Sequence, residues 1–209
     1  MHKRLTSFTN KFNILKHERF GFQKNKSTQQ ACFNVTNQII NCIDEKNHCI
    51  TVFIDMTKAF DFVSHKLLLN KLSKLGIRGP ALNWIKTFLE NKYTIIENIN
   101  RDNELVNTES EVLLNEYGVP QGSVLGPQLF LFYINDIPIE INYPIIMNNY
   151  KLTLFADDIS IIFTYIKSDI NKIENDINST LRYIIEWLTS NNLKINVNKT
   201  RYIQFTNYN

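Results

Sequence analysis

The stretch that decides the fold is Leu152-Thr153-Leu154-Phe155-Ala156-Asp157-Asp158-Ile159-Ser160-Ile161-Ile162-Phe163. Two short runs of apolar and β-branched residues flank a pair of acids, the pattern of a strand, a tight turn and a second strand. The acids then stand at the tip of a hairpin. Taken alone, Asp-Asp is more readily an ordinary turn than a site, because Asp bonds its own backbone in turns. Its meaning depends on residues elsewhere in the chain.

Working outward, Cys49-Ile50-Thr51-Val52-Phe53-Ile54 is a continuous apolar run, as expected of a strand covered on both faces, and it ends at Asp55. An unpaired charge at the end of a buried strand is costly. Asp55 is therefore either the N-cap of a following turn or part of a site, and both readings stand at this point. Between the two acidic segments lies Gly118-Val119-Pro120-Gln121-Gly122-Ser123-Val124-Leu125-Gly126-Pro127. Three glycines and two prolines in ten residues fix a loop whose backbone can approach a ligand closely. Pro127 then opens a helix through Phe130, Tyr133 and Ile134, and such loop-to-helix junctions often cradle anions.

The remaining periodicities fill in the frame. A short helix is expected through Leu5, Phe8 and Phe12. Ser27-Thr28-Gln29-Gln30 forms a capping box before a helix whose apolar positions are Ala31, Val35, Ile39, Cys42 and Ile43. The spacing predicts a helix over 64–75 with Leu67, Leu68, Leu69, Leu72 and Leu75 inward, closed by Gly76 with left-handed φ. Another starts at Pro80 and buries Leu82, Trp84, Ile85 and Leu89. Strands are expected at 93–96 and 112–114 around a polar loop, 98–110. Ser168 is expected to cap a long helix with Ile170, Ile173, Ile177, Leu181, Ile184, Ile185 and Leu188 on its buried face. Leu193, Ile195 and Val197 alternate as in a strand, and 202–205 reads as a last short one. The fold class is α+β.

Composition sets the bounds. A chain of 209 residues, 44% hydrophobic, can bury the core of one domain, or of one domain with a small appendage. Only six glycines and five prolines, no low-complexity segment and no fixed repeat exclude solenoids and linker arrays. Lys plus Arg exceeds Asp plus Glu by 23 to 20, too mild a balance to demand a nucleic-acid partner. Lys3, Arg4, Lys11, Lys16, Arg19, Lys24 and Lys26 cluster early, and Lys194, Lys199 and Arg201 late; each group is either a solvated face or a phosphate-tracking surface. Cys32, Cys42 and Cys49 lack zinc or disulfide spacing. With no secretory segment and no long apolar run, the expectation is a reduced intracellular protein without a membrane partner.

If the hairpin pairs beside the strand ending at Asp55, then Asp55, Asp157 and Asp158 converge. Three close carboxylates repel one another, and a structural core is not built that way. Hard divalent cations remove the conflict, since Mg²⁺ prefers carboxylate oxygen and completes its shell with water and substrate phosphates. The chemistry implied is metal-assisted phosphoryl transfer.

Five segments in order, Phe20-Gly21-Phe22 with Ser27-Thr28, Val52-Phe53-Ile54-Asp55-Met56-Thr57-Lys58-Ala59-Phe60-Asp61, the loop from Gly118 to Pro127, Phe155-Ala156-Asp157-Asp158, and Leu193-Lys194-Ile195-Asn196 with Lys199-Thr200, closely resemble the reverse transcriptases of non-LTR retrotransposons, the jockey-like and LINE-like elements. The likeness runs from about residue 3 to 206. It implies a right-hand polymerase palm with partial fingers, an antiparallel sheet backed by helices: 1–48 as partial fingers and 49–209 as palm. A fingers insertion is expected within 77–117, with thumb and endonuclease absent.

The implied activity is that of an RNA-directed DNA polymerase, with an RNA template, a DNA primer and a deoxynucleoside triphosphate (dNTP) as partners. By the same resemblance, Asp55 and Asp157 ligate two Mg²⁺ ions, with Mn²⁺ as a substitute. Asp158 assists, and the Met56 carbonyl is a further ligand. Lys58 and Ala59 offer backbone amides to the triphosphate, and Gln121 and Gly122 line the nucleotide and template pocket. Lys199 is either the acid that protonates pyrophosphate or a surface lysine. Phe60 stands where a ribose 2′-hydroxyl would lie, which favours a DNA product over RNA-templated RNA synthesis. Gln23 replaces the Arg that family members often carry, with Lys24 or Lys26 as compensation. The alternative is a truncated, inactive nucleic-acid-binding remnant.

Overall fold

The computed structural model describes residues 1–90, 93–94, 97–99, 105–109, 113–137, 150–166 and 170–206. In chain order the helices are α1 (His2–Lys11), α2 (Thr28–Asp44), α3 (His65–Lys74), α4 (Pro80–Glu90), α5 (Gly126–Tyr133) and α6 (Ile170–Ser190). The strands are β1 (His48–Ile54), β2 (Tyr93–Thr94), β3 (Glu97–Ile99), β4 (Leu105–Glu109), β5 (Leu113–Leu114), β6 (Tyr150–Phe155), β7 (Asp158–Tyr165) and β8 (Arg201–Phe205).

The apolar run of β1 is a central strand. It pairs antiparallel with β7, from His48 opposite Tyr165 to Ile54 opposite Ile159, and on its other edge with β8. With β6 on the far side of β7, the sheet order is β6-β7-β1-β8. Strands β2 and β5, and β3 and β4, form two separate ribbons. Alternation along the strands gives the sheet two different faces. Val52, Ile54, Ile159, Ile161 and Phe163 belong to one large buried cluster with Leu68 and Leu72 of α3, Leu129 and Phe130 of α5, and Ile184 and Leu188 of α6. On the other face, Cys49 and Ile162 pack with Cys42, Val35 and Ile39 of α2.

Local chemistry sets the helix ends. Ser27 Oγ accepts from the Gln30 amide at 3.2 Å while Gln30 Oε1 accepts from the Ser27 amide at 2.9 Å, completing the expected capping box. Such a cap contributes about 1 kcal/mol. Ser64 Oγ likewise accepts from the Leu67 amide at the start of α3, and Gly76 takes φ +95° after its end.

Several expectations are corrected. Residues 193–197 are not a strand: Ile195 makes a single bridge to Met56, and Val197 is 73% exposed. The Asn196 carbonyl instead accepts the amides of Lys199 and Thr200, so the segment closes into a turn and its alternation has no sheet behind it. Trp84 is 44% exposed, stacked on Phe88 with centroids 5.6 Å apart, because the stripe set by Ile85 and Leu89 lies on another side of α4. Ile185 falls outside the buried stripe of α6 in the same way. Ser168, the side chain of Ile170, and residues 95–96, 100–104 and 110–112 of the expected strands and polar loop lie outside the described residues. Among the described residues, no helix is long and apolar enough to cross a membrane.

Candidate active site

The hairpin forms as its sequence requires. Phe155 pairs with Asp158, leaving Ala156 and Asp157 as a two-residue turn. Ala156 takes φ +53°, which costs a residue with a Cβ about 1 kcal/mol. Neighbouring backbone holds it there. The Phe20 amide donates to the Leu154 carbonyl at 2.7 Å and the Leu154 amide to the Glu18 carbonyl at 2.9 Å, so this segment runs along the outer edge of β6. Gly21 then lies directly against the turn: a Cβ there would meet the Ala156 nitrogen at 2.3 Å. The Phe20-Gly21-Phe22 segment therefore clamps the acidic tip.

Asp55 follows the last residue of β1, and the register of Ile54 against Ile159 sets it beside Asp158. Among the described residues no hydrogen bond joins the Asp55 carboxylate to the turn after Met56, and the next capped helix starts at Ser64, which removes the N-cap reading. Asp55 Oδ2 is buried and, among the described residues, has no hydrogen-bond partner. The Asp158 carboxyl is pushed above its ordinary range, first by burial, then by the charges of Asp157 and Asp55, with Lys199 pulling it back. Lys199 arrives through the turn after residue 193. The Thr57 amide donates to the Lys194 carbonyl and the Asn196 amide to the Asp55 carbonyl, both at 2.8 Å. Asp55, Asp158 and Lys199 together line a cavity of about 540 Å³ walled by Phe53, Phe155 and α2.

Among the described residues, no three His, Cys, Asp or Glu side chains are arranged to hold a metal ion jointly. The donor chemistry nonetheless suits a hard divalent cation, because an orphaned carboxylate oxygen beside like charges is relieved by one.

A second cluster adjoins the first through the turn after Met56. Lys58 is exposed with φ +45°, Ala59 is buried, and the Phe60 ring stacks on Phe130 with centroids 4.3 Å apart. The Pro-Gln-Gly loop is fastened to this turn. The Val119 amide donates to the Phe60 carbonyl at 2.9 Å, Gln121 Nε2 donates to Asp61 Oδ1 at 2.8 Å, and the buried His65 ring sits 2.7 Å from the Gly118 carbonyl through Nε2. Gly118, at φ +87°, packs against Asp61 backbone that a Cβ would crowd at 3.2 Å. Gln121 and Gly122 are both exposed at the rim.

Sequence reasoning missed Asp61 and His65, whose roles appear only when the loop docks. It also misplaced Arg19. That side chain is 1% exposed, donates to the Ile134 carbonyl, and leaves Nε and Nη1 without partners among the described residues. Burial lowers its pKa to about 9, against the raising effect of Asp136 and Glu18, so it stays charged at neutral pH. Lys26 Nζ donates to the His17 and Arg19 carbonyls, and Gln23 Nε2 also donates to the Arg19 carbonyl, so Lys26 lies beside Gln23. Lys24 remains exposed.

A family model described as reverse transcriptase (RNA-dependent DNA polymerase) matches residues 1–208. The chain is 31% identical over 198 residues to the probable RNA-directed DNA polymerase from transposon BS of Drosophila melanogaster, covering 94% of this chain and 21% of that protein. It is 30% identical over 204 residues to the corresponding X-element polymerase of the same organism, covering 97% and 21%. The chain thus spans about a fifth of the length of these curated relatives. Among solved structures, apo telomerase from Candida tropicalis truncated from its C-terminal domain aligns with a TM-score of 0.65 at 14% identity, over 98% of this chain and 40% of that one. Candida albicans telomerase with a fragment of telomeric RNA aligns with a TM-score of 0.62 at 12% identity, over 97% and 34%. These two likenesses establish a shared palm-like fold.

Proposed function

This chain belongs to the reverse transcriptase family, and on that premise we propose that it is the palm and partial fingers of an RNA-directed DNA polymerase that extends a DNA primer on an RNA template with dNTPs. Residues 1–48 are the partial fingers and 49–209 the palm, with a fingers insertion within 77–117. The observation that carries the reading is the buried Oδ2 of Asp55, without a partner among the described residues, set beside an Asp158 whose pKa is raised by burial and then by like charges, and faced by Lys199.

Asp55 and Asp157, assisted by Asp158 and the Met56 carbonyl, would hold two Mg²⁺ ions, with Mn²⁺ able to replace them. When bound, such cations ease deprotonation of a primer hydroxyl and carry leaving-group charge. The protein's own residues do the rest. The amides of Lys58 and Ala59 orient the triphosphate, and the Lys199 ammonium holds a proton for the departing pyrophosphate. Gln121 and Gly122 form the rim of the nucleotide and template pocket, Gln121 fixed by Asp61. Phe60, backed by Phe130, fills the space a 2′-hydroxyl would need, so deoxynucleotides are selected.

Primer extension on poly(rA) with oligo(dT), Mg²⁺ and dTTP tests this, comparing the wild type with Asp157→Ala. Extension confined to the wild type is expected. Equal extension by both overturns the assignment. Template-primer binding without extension by either would point to a nucleic-acid-binding remnant.

A further inference from the structure

Phe22 has a place that the proposed roles leave unexplained. It is a large apolar side chain 53% exposed to solvent. Its backbone takes φ +54°, a left-handed conformation that costs a residue with a Cβ about 1 kcal/mol. A chain that only needed to turn here would use Gly or Asn. Two anchors stand immediately before it: Phe20 is hydrogen-bonded to Leu154 of β6, and Gly21 is pressed onto Ala156 of the acidic turn. The consequence is that the Phe22 ring meets the Phe60 ring edge-on, with centroids 6.0 Å apart and planes at 89°. Phe60 in turn lies over Phe130 at 4.3 Å and 23°.

The three rings make a row that runs from the buried Phe130 through the half-buried Phe60 to the exposed Phe22. Phe130 covers one face of Phe60. Phe22 adds a second, perpendicular ring contact, an arrangement that aromatic pairs prefer. Phe22 also comes from the segment that clamps the Asp157 turn, so the same few residues tie the acidic tip to the gate ring.

We propose that Phe22 is a specificity-determining residue: it holds Phe60 upright as the outer wall of the sugar pocket and so sets the preference for deoxynucleotides over ribonucleotides. This rests on the reading of Phe60 as the sugar gate. Without Phe22, Phe60 can swing outward by rotation about its side chain, and the space for a 2′-hydroxyl opens.

The test uses the whole chain on a template-primer whose primer ends in a dideoxynucleotide, so that binding is measured without turnover. Binding of dTTP and UTP with Mg²⁺ is compared for the wild type, Phe22→Gly, Phe22→Leu and Phe60→Ala. Gly relieves the φ at this position while removing the ring, so circular dichroism and melting should show an intact fold. The expected result is a wild-type preference for dTTP that falls about tenfold in Phe22→Gly, less in Phe22→Leu and most in Phe60→Ala. Wild-type selectivity retained in Phe22→Gly but lost in Phe60→Ala overturns the role of Phe22 and leaves the gate standing. Selectivity unchanged in Phe60→Ala, or absent from the wild type, overturns both.

Discussion

The two ends of β1 differ in kind although they belong to one buried strand. At its start, Cys49 is fully buried, its thiol pushed up to about 12 by burial and by Cys42, and His48 faces the Tyr165 ring at 5.6 Å. That end is closed. At its other end Asp55 keeps an orphaned oxygen beside two more acids and opens onto a cavity. A strand that buries one end and concentrates like charge at the other is not optimised for stability throughout. Like charges gathered at the acidic end cost the fold free energy that a bound cation would return.

The sharpest way to break this comparison is Asp55→Asn. Primer extension should fall by at least about a thousandfold, the scale of losing a principal electrostatic stabiliser of a reacting group. Thermal melting without divalent cation should stay level or rise, because a repelling charge has gone. A melting temperature several degrees lower would mean that Asp55 is structural. Next in size is Phe60→Ala, for which the ratio of dTTP to UTP incorporation should drop by roughly ten- to a hundredfold. An unchanged ratio would detach Phe60 from sugar selection. At the closed end, Cys49→Val keeps volume and polarity close to those of a buried thiol. It should cost under about 1.5 kcal/mol in urea unfolding and leave extension intact. Loss of activity there would show that the two ends are coupled.

The parts of this arrangement legible in the sequence are those that local chemistry determines. The Asp157-Asp158 turn, the apolar run ending at Asp55, the capping box at Ser27 and Gln30 and the glycine at 76 each follow from periodicity or from one residue's conformational needs. What could not be read is set by docking. Leu193, Ile195 and Val197 alternate like a strand, yet the amide of Asn196 is taken by the Asp55 carbonyl and the segment turns. Arg19 sits in a basic run that resembles a solvated face, and only the parallel bridge to Leu154 carries it inside. Gln121 stood out because prolines and glycines surround it, while its partner Asp61 had no local mark. Phe22 belonged to a recognisable segment, but its contact with Phe60 joins residues 38 positions apart that only the fold brings together.

The smallest expected effect is a pH dependence that belongs to the acidic end alone. Asp158 has a folded-state pKa above its ordinary 3.8, from burial and then from Asp157 and Asp55. Between 3.8 and the raised value the native protein holds more proton than the unfolded chain, so stability falls as pH rises across that window. The group is largely solvated, which keeps the effect modest. Urea unfolding from pH 4 to 7 should show this decline in the cation-free protein, a flatter profile in Asp158→Asn, and a profile that levels off or rises with pH when Mg²⁺ holds the charged carboxylates, because the cation competes with the protons. A decline of equal slope in Asp158→Asn would assign the titration to another group. A decline unaffected by Mg²⁺ would separate the acids from cation binding and leave the difference between the two ends of β1 a matter of exposure alone.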